Sequence, residues 1–585
     1  MGLNFTHNKR IALGFFAPGS WPKVFALFAI FTHGFVFAGE NSYDEIFQAD
    51  GTVRPQYAEV WKEFKKLKKK DVNEFLRQSR SDFKGDNKLN PIPRIITESE
   101  YSELKRGVEQ RGTALRMLIE DHYSGKKSYL GKVIPADVMT RILERSGDLA
   151  WEGKVPPNRI AFPYGPDIIR DASGAWRVLE DNPGYIGGLG DLEKARETLF
   201  KRMPAYQRAL HPVDDPSGFF RKYFQDIREH LPVDAKSIVV VQTPPYPDNE
   251  EVRLRKIFQT NGAEIVTPQS KAELKFKSDG VYLDSQSYAA SVSQKVGYVI
   301  LNGEHHELDS SDPSAFKRLI LERSKHIMDE LLDSPFKRNL EAALTPDPKT
   351  GAVDTEKVFA LLKGTSYESD LLGKRHRPFP GLTEAILSGK VQSNYAPGLD
   401  FIGDKEFNVY VEDLIRHYLK AEPILKNVRT QKFANKSGQL DAQVLNEVFA
   451  NPQKYVIKSV DGRGGDGVWV GAKISLEKFN ESKALVLEHP SHFIAQDYTP
   501  LSEHNGYITD LRMLSFVNPW GVRVSETPWG RSLPIQGDGK VNLSSSGLES
   551  AVVIVKDPVL VERKKLRSPS GSPDCSRAFS QSLGL

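Results

Sequence analysis

Oxygen-bearing side chains stand at the two ends of a predicted β-hairpin. Asp167 opens its first extended run, and Glu180 and Asn182 close its second. Alternate residues of a strand face the same side, so Glu180 and Asn182 should point together and Asp181 away from them. Antiparallel pairing can bring Asp167 alongside. Three such groups suit a hard cation such as Mg²⁺, although a surface hairpin with acidic ends would contain the same residues.

A lysine followed by a glycine-rich loop forms a second candidate site. Lys458 ends a predicted strand, and Gly462, Gly464, Gly465 and Gly467 follow it. Exposed backbone N–H groups of such a loop can close over phosphates, with the ammonium group as a point charge. The spacing is not that of a Walker P-loop, and a flexible hairpin turn would explain the glycines equally well.

Another lysine, Lys405, stands where a predicted amphipathic helix begins. The helix should extend to Lys420, with Asp404 placed to cap it. A lysine in this position can join the helix N-terminus in holding an anion. Most lysines at such positions simply lie on the surface.

The elements around these residues predict a chain of several lobes. A mostly helical stretch precedes the hairpin, and a strand, a helix and two further strands follow between residues 236 and 309, which is typical of a small Rossmann-like unit. Strands beginning at Tyr455, Val468 and Phe493 predict a further sheet. At 585 residues, three to four domains are expected.

Taken together, these motifs resemble the ATP-grasp family. The hairpin from Asp167 to Asn182 is similar to the family's magnesium-binding element, the Asp404–Lys405 pair to the opening of its ATP lobe, and Lys458 with its glycines to its nucleotide flap. The resemblance implies ATP and Mg²⁺ as cofactors. It assigns the residues as follows: Asp167, Glu180 and Asn182 to the metal; Lys405, Lys458, Gly464, Gly465 and Gly467 to the phosphates.

The same resemblance extends to the last third of the chain. The segment after Ile494 looks like the strand that binds adenine, which implies that Gln496 and Asp497 lie beside the base. The strand from Asp510 resembles that of the peptide-ligase branch. It implies that Arg512 steadies the γ-phosphate and the acyl-phosphate, with Arg531 as a second arginine.

The order of these motifs is permuted, because the hairpin precedes both lysines by more than two hundred residues. From about Tyr43 to Val555 the chain resembles the circularly permuted ATP-grasp proteins (type 2) related to glutathionylspermidine synthase. The resemblance implies an α/β fold with α+β lobes. Its expected parts are a helical N-terminal region with the metal-binding half (39–235), a Rossmann-like pre-ATP-grasp domain (236–390) and an ATP-binding lobe with the flap (391–560).

The two ends of the chain carry different signals. Basic residues and an apolar run before Ala38 predict a signal peptide over 1–38 and an exported or periplasmic protein, with a membrane anchor or a cytoplasmic location as alternatives. No stable membrane span is expected once such a signal is cleaved. Residues 561–585 are predicted to be disordered.

The predicted activity is ATP-dependent joining of a carboxylate to an amine through an acyl-phosphate, on small-molecule or peptide substrates. The net charge of +4, with acids and bases interspersed, does not indicate a nucleic-acid partner. Two alternatives stay open. The loop after Asn182, Pro183-Gly-Tyr-Ile-Gly-Gly188, lacks the arginine that is usual there, which suggests a non-catalytic exported relative; a small-molecule phosphotransferase would share the ATP site.

Overall fold

The computed structural model describes most of the chain between residues 42 and 558. The described residues are 42–83, 89–242, 249–268, 270–286, 291–303, 308–309, a few positions between 320 and 328, 334–345, 353–365, 379–462, 467–535, 539–540 and 547–558. The predicted signal peptide and C-terminal tail lie outside this part of the chain. The predictions made for them are not tested.

Helices and strands mix throughout, which confirms an α/β architecture. The helices are α1 (Ala58–Phe64), α2 (Lys69–Phe83), α3 (Glu98–Tyr123), α4 (Ala136–Ser146), α5 (Leu192–Arg202), α6 (Pro204–Leu210), α7 (Gly218–His230), α8 (Asn249–Thr260), α9 (Pro335–Leu344), α10 (Thr355–Leu362), α11 (Leu382–Leu387), α12 (Lys405–Asn408), α13 (Val411–Leu419), α14 (Ala442–Ala450) and α15 (Leu476–Glu488). Across the described ranges, none of the helices is both long and apolar enough to cross a bilayer.

Within the described residues, the strands form five sheets. They are β1 (Arg94–Thr97), β2 (Phe162–Tyr164), β3 (Asp167–Arg170), β4 (Trp176–Glu180), β5 (Ser237–Val241), β6 (Glu264–Val266), β7 (Glu273–Lys277), β8 (Gly280–Gln286), β9 (Ser291–Leu301), β10 (Gln392–Ser393), β11 (Lys426–Asn427), β12 (Thr430–Lys432), β13 (Tyr455–Ser459), β14 (Val468–Val470), β15 (Phe493–Asp497), β16 (Ser502–His504), β17 (Tyr507–Arg512), β18 (Ser515–Asn518), β19 (Gly521–Val524), β20 (Trp529–Pro534), β21 (Leu548–Ser550) and β22 (Val552–Val555).

The central sheet combines distant parts of the chain. Its strand order is β11-β4-β3-β17-β20-β21, with β16 beside β17. The predicted hairpin is confirmed as β3 and β4, closed by a turn in which Gly174 has a φ of +86°, a value that suits glycine. Because β3 pairs with β17, the hairpin lies directly beside the arginine-bearing strand.

The predicted Rossmann-like unit is confirmed and proves larger than the sequence pattern indicated. Strands β5, β6 and β9 pair in parallel, and α8 connects β5 to β6. The hairpin β7–β8 extends the sheet through β9, and β10 adds a parallel strand. The domain boundaries themselves stay a prediction.

The lysine-bearing sheet is a separate antiparallel unit with the order β12-β15-β13-β14. Its three strands predicted from Tyr455, Val468 and Phe493 are confirmed as β13, β14 and β15. Helices α14 and α15 contribute apolar residues to a small core with this sheet, including Val448 and Phe479, both fully buried. The strand that carries Lys458 packs on this core through Tyr455 and Ile457.

The back face of the central sheet contains a buried ion-pair cluster. Glu45 is 2% exposed, and its Oε1 accepts a hydrogen bond from Arg94 Nη2 at 2.5 Å and lies 3.6 Å from Arg170 Nε. Burial alone would raise the pKa of Glu45, but these two guanidinium groups lower it to about 2. The N-terminal segment is thereby tied to the sheet by a carboxylate that is ionised when the protein is folded.

We expect Glu45→Gln to lower the free energy of unfolding by about 3 kcal/mol at pH 7. The folded pKa lies below the ordinary value of 4.5, so this stabilisation is complete above about pH 4.5 and is lost as the pH falls toward 2. Urea denaturation of both proteins between pH 7 and 3 measures it. A difference that does not shrink at low pH would contradict the expectation, and Glu273→Gln, at an exposed pair with Lys275, is the control.

Candidate functional site

The hairpin presents its carboxylates at one end of the central sheet. Asp167 and Glu180 are partners across the strands, and a β-bulge follows between them and the Ile168–Val178 pair. Because partners across a pair share a face, both carboxylates lie on the same side of the sheet. A β-bulge changes the direction in which the neighbouring side chains point. The sequence pattern did not predict this bulge.

Residues Asp181 and Asn182 continue the hairpin in opposite directions. Asp181 is buried against Arg111, whose Nη2 donates to Oδ2 at 2.7 Å, and Tyr164, whose hydroxyl donates to Oδ1 at 2.5 Å. The prediction that Asp181 points away from the site is confirmed. Asn182 donates from Nδ2 to the Gly165 carbonyl at 3.1 Å, which leaves its Oδ1 oriented as an acceptor for another partner.

Two arginines enclose Asp167. Arg512 donates to both carboxylate oxygens, from Nε at 2.7 Å and Nη2 at 3.0 Å, in the bidentate geometry that makes such pairs strong. Arg531 Nη2 adds a third hydrogen bond at 2.8 Å. Burial alone would raise the pKa of Asp167, but the two guanidinium groups hold it well below its usual range. Asp167 is therefore a fixed anion that orients both arginines.

Arg531 is held from its other side by Asp510. Its Nε and Nη2 donate to the Asp510 carboxylate at 3.0 and 2.6 Å. Asp510 and Arg531 are partners across β17 and β20, so the pairing follows from strand register. Arg531 is thus buried between two carboxylates.

Lys405, the first residue of α12, faces the hairpin. Its Nζ lies 3.7 Å from Glu180 Oε2 and donates to the Gly462 carbonyl. Asp404 caps α12 through the N–H groups of Glu406 and Phe407, as predicted. Arg145 donates to both Asp404 and Glu406, at 2.7 and 3.1 Å, and so fixes the turn from which Lys405 extends.

The single helix predicted from Lys405 to Lys420 is wrong. The chain forms two helices, α12 and α13, separated at Val409 and Tyr410. The apolar stripe runs through both, but the first turn is oriented by the ion pairs of Arg145. Pattern alone did not indicate that break.

Lys458 is 9% exposed and lies near the same carboxylates. Burial lowers its pKa, while Glu180 and, more weakly, Asp167 raise it and Lys405 lowers it. At the flap end, the N–H of Ser459 donates to the Gly467 carbonyl at 2.7 Å, and Gly467 has a φ of +64°. Gly464 and Gly465 lie outside the described residues, and their role stays a prediction.

Gln496 and Asp497 end β15 beside the hairpin. The side-chain amide of Gln496 donates to the Leu179 carbonyl at 3.1 Å and to Thr430 Oγ1 at 3.2 Å, so it ties the lysine-bearing sheet to β4. Asp497 Oδ2 lies 3.8 Å from Arg429 Nη1. Their placement beside adenine stays a prediction.

The predicted metal ligands offer a donor set that fits Mg²⁺. Glu180 is 26% exposed at its side chain, and its ion pair with Lys405 leaves oxygen lone pairs for a cation. Asp167 has already accepted three hydrogen bonds of about four that a carboxylate can accept. Glu180 and the Asn182 oxygen are therefore the main candidates, with Asp167 beside them. The described ranges hold no group of three or more His, Cys, Asp or Glu placed to bind a metal.

A family model describing circularly permuted ATP-grasp proteins of type 2 matches residues 93–300 and 368–524. The matched ranges contain the hairpin, both lysines and Arg512, and cover more than half of the chain. The chain belongs to this family.

Relatives of this ATP-grasp protein come from several bacteria. An uncharacterized protein of Synechocystis sp. is 26% identical over 79% of this chain and 84% of its own length. A Frankia alni protein named "Putative glutamate--cysteine ligase 2-3" is 23% identical over 79% of this chain but 47% of its own length. A solved glutathione synthetase-like effector of Globodera pallida overlays on 87% of the chain with a TM-score of 0.45 and 9% identity.

Six of the twelve predicted site residues converge on one place, which we call the ATP-grasp cleft. Those that converge are Asp167, Glu180, Lys405, Lys458, Arg512 and Arg531. Their individual roles stay predictions. Sequence reasoning did not single out Asp510 or Arg145 as supports of the site. The alternation of Asp510 with Arg512 becomes meaningful only once the partner of β17 is known. The role of Arg145 becomes visible only from its ion pairs with Asp404 and Glu406.

Proposed function

We propose that this ATP-grasp protein joins a carboxylate to an amine with Mg²⁺ and ATP. The observation that carries the proposal is the approach of Lys405 to Glu180 at 3.7 Å, because it sets the phosphate-binding lysines against the carboxylate hairpin. Lys458, Arg512 and Arg531 add three cations around the same space. These four cations exceed the three carboxylates paired with them, Asp167, Glu180 and Asp510, by one charge, and with Mg²⁺ this balance suits a polyphosphate.

The proposed chemistry needs no side-chain nucleophile. The substrate carboxylate attacks the γ-phosphorus of ATP, ADP leaves, and an acyl-phosphate forms; the amine then attacks the acyl carbon and phosphate departs. Mg²⁺, held by Glu180 and Asn182 with Asp167, would neutralise phosphate charge. Lys405 and Lys458 hold phosphate oxygens, and Arg512 and Arg531 hold the group in transfer.

The relative named for glutamate–cysteine ligation suggests the first substrates to test. Glutamate would supply the carboxylate and cysteine the amine. ADP release that requires both supports the ligase. ADP release together with a phosphorylated small molecule, and no need for an amine, favours the phosphotransferase.

We expect Lys458→Ala to weaken binding of Mg²⁺ with a non-hydrolysable ATP analogue by roughly 10-fold or more, because a charge-assisted contact to phosphate is lost. Isothermal titration calorimetry on the full chain measures it. Lys454→Ala is the matched control, since this exposed lysine lies four residues earlier on the same unit. Absence of binding by the parent protein would favour a non-catalytic relative instead.

A further inference from the structure

The indole of Trp529 lies against both arginines of the cleft. Trp529 is the partner of Arg512 across β17 and β20, and it is two residues from Arg531 on β20. The Cζ atoms of Arg512 and Arg531 lie 5.6 and 5.4 Å from the ring centroid. Both distances are within the range of a cation–π interaction. Trp529 is 4% exposed, so these contacts are desolvated.

A glycine-rich loop, Gly184–Gly190, closes over the same indole. A Cβ atom on Gly188 would lie 2.4 Å from Trp529 Cδ2, and Gly188 has a φ of +103°, so only glycine fits there. The neighbouring Gly187 carbonyl accepts a hydrogen bond from Arg512 Nη1 at 3.3 Å. The loop therefore contacts the ring and one of its arginines together.

Helix α8 of the Rossmann-like unit holds the loop in place. Oε1 of Glu250 accepts hydrogen bonds from the N–H groups of Gly188 and Gly190, at 2.6 and 3.1 Å. Gly190 packs closely on the same residue, since a Cβ there would lie 2.5 Å from the Glu250 carbonyl oxygen. The loop that lacks the expected arginine thus connects a second lobe to Arg512.

The far edge of the indole is fixed as well. Its Nε1 donates to Oε2 of Glu549, a fully buried residue of β21, at 3.4 Å. Burial, with the nearby carboxylates of Asp191 and Glu250, raises the pKa of Glu549 well above its usual range. The hydrogen bond to Glu549 thus fixes the edge of the indole that carries Nε1.

We propose that Trp529 is a positioning residue that, with the loop Gly184–Gly190, holds Arg512 and Arg531 for contact with the γ-phosphate. This inference rests on the proposed ATP-dependent function. The ring contacts both guanidinium groups, and Asp167 accepts hydrogen bonds from both. Because both arginines are assigned to the γ-phosphate, Trp529 should affect binding of the third phosphate and not binding of the ADP portion.

A matched pair of contacts exists on the opposite face of the same sheet. Trp176 is buried, and the Cζ atoms of Arg170 and Arg94 lie 4.0 and 5.4 Å from its ring. Replacing Trp176 removes the same kind of interaction from the same sheet, away from the cleft. The Trp176 variant therefore distinguishes a general loss of stability from a loss of the positioning of Arg512 and Arg531.

The test compares nucleotide affinities of the full-length parent, Trp529→Leu, Trp529→Phe and Trp176→Leu. Calorimetry gives Kd for Mg²⁺ with a non-hydrolysable ATP analogue and for Mg²⁺ with ADP. We expect Trp529→Leu to reduce the preference for the triphosphate by roughly 10-fold, because contacts to two desolvated cations are lost. The affinity of Trp529→Leu for ADP should stay within about 2-fold of the parent's. Trp529→Phe should lose less of the preference for the triphosphate than Trp529→Leu, and Trp176→Leu should keep the parent's preference.

Several outcomes would overturn the inference. One is a folded Trp529→Leu protein with the parent's preference; others are an equal loss of affinity for both nucleotides, or an equal loss of preference in Trp176→Leu. If Trp529→Leu does not fold, the preference of Trp529→Phe decides by the same criterion. A parent that binds neither nucleotide overturns the proposed function, and the inference with it. A parent that binds while the variants keep its preference overturns the inference alone.

Discussion

Replacing Glu180 with glutamine is expected to reduce magnesium-dependent ADP formation by roughly 100-fold or more, the scale of losing one electrostatic contact in a transition state. The amide removes the negative charge from the carboxylate best placed for Mg²⁺ while keeping its shape. The melting temperature should change little, because the side chain is partly exposed and its ion pair with Lys405 spans 3.7 Å. A coupled ADP assay with glutamate and cysteine measures the rate, and thermal denaturation checks the fold.

Glu152→Gln is the matched control for that experiment. Glu152 is also a partly exposed carboxylate paired with a lysine, Lys127, at 2.7 Å, and it lies outside the cleft. Its rate should equal that of the parent. ADP formation by Glu180→Gln at the parent rate would contradict the assignment of Glu180 to the metal.

Replacing Arg531 with methionine is expected to destabilise the fold by about 3–5 kcal/mol. The substitution keeps much of the side-chain volume but leaves two buried carboxylates without one of their cations. Asp510 loses both of its hydrogen bonds from Arg531, and Asp167 keeps only Arg512. Urea denaturation at pH 7 gives the change in the free energy of unfolding.

The control for Arg531 is Arg523→Met. Arg523 forms a similar bidentate pair with Asp226, with hydrogen bonds of 2.7 and 2.8 Å, but its side chain is 37% exposed. Solvent screens such a pair, so a loss of less than about 1 kcal/mol is expected. A loss for Arg531→Met no larger than that of the control would mean that the buried cluster tolerates an unpaired carboxylate.

The elements that sequence predicted well are those with strong local signals. The hairpin carries alternating residues and a Gly174 turn, and the first strand of the Rossmann-like unit is a continuous apolar run, so both were placed correctly. The direction of Asp181 also followed from strand periodicity. The family resemblance connected these elements to one fold, and the family match confirms that fold.

What sequence did not predict depends on contacts between distant segments. The three hydrogen bonds from Arg512 and Arg531 to Asp167 cross more than three hundred positions of the chain. The position of Trp529 against both arginines requires the register of β17 and β20. The ion pairs of Arg145 with Asp404 and Glu406, at the start of α12, join residues 259 and 261 positions apart. No local pattern encodes such pairings.

The pairing of β3 with β17 also sets an order for folding during synthesis. Asp167 and Arg512 are 345 positions apart, so at 5–20 residues per second β17 emerges from the ribosome roughly 17 to 70 s after β3. During that interval the edge of β3 has no strand to pair with, and unpaired edges attract other chains. An unpaired edge of β3 during that interval is expected to make the nascent chain prone to association with other chains until β17 has been made.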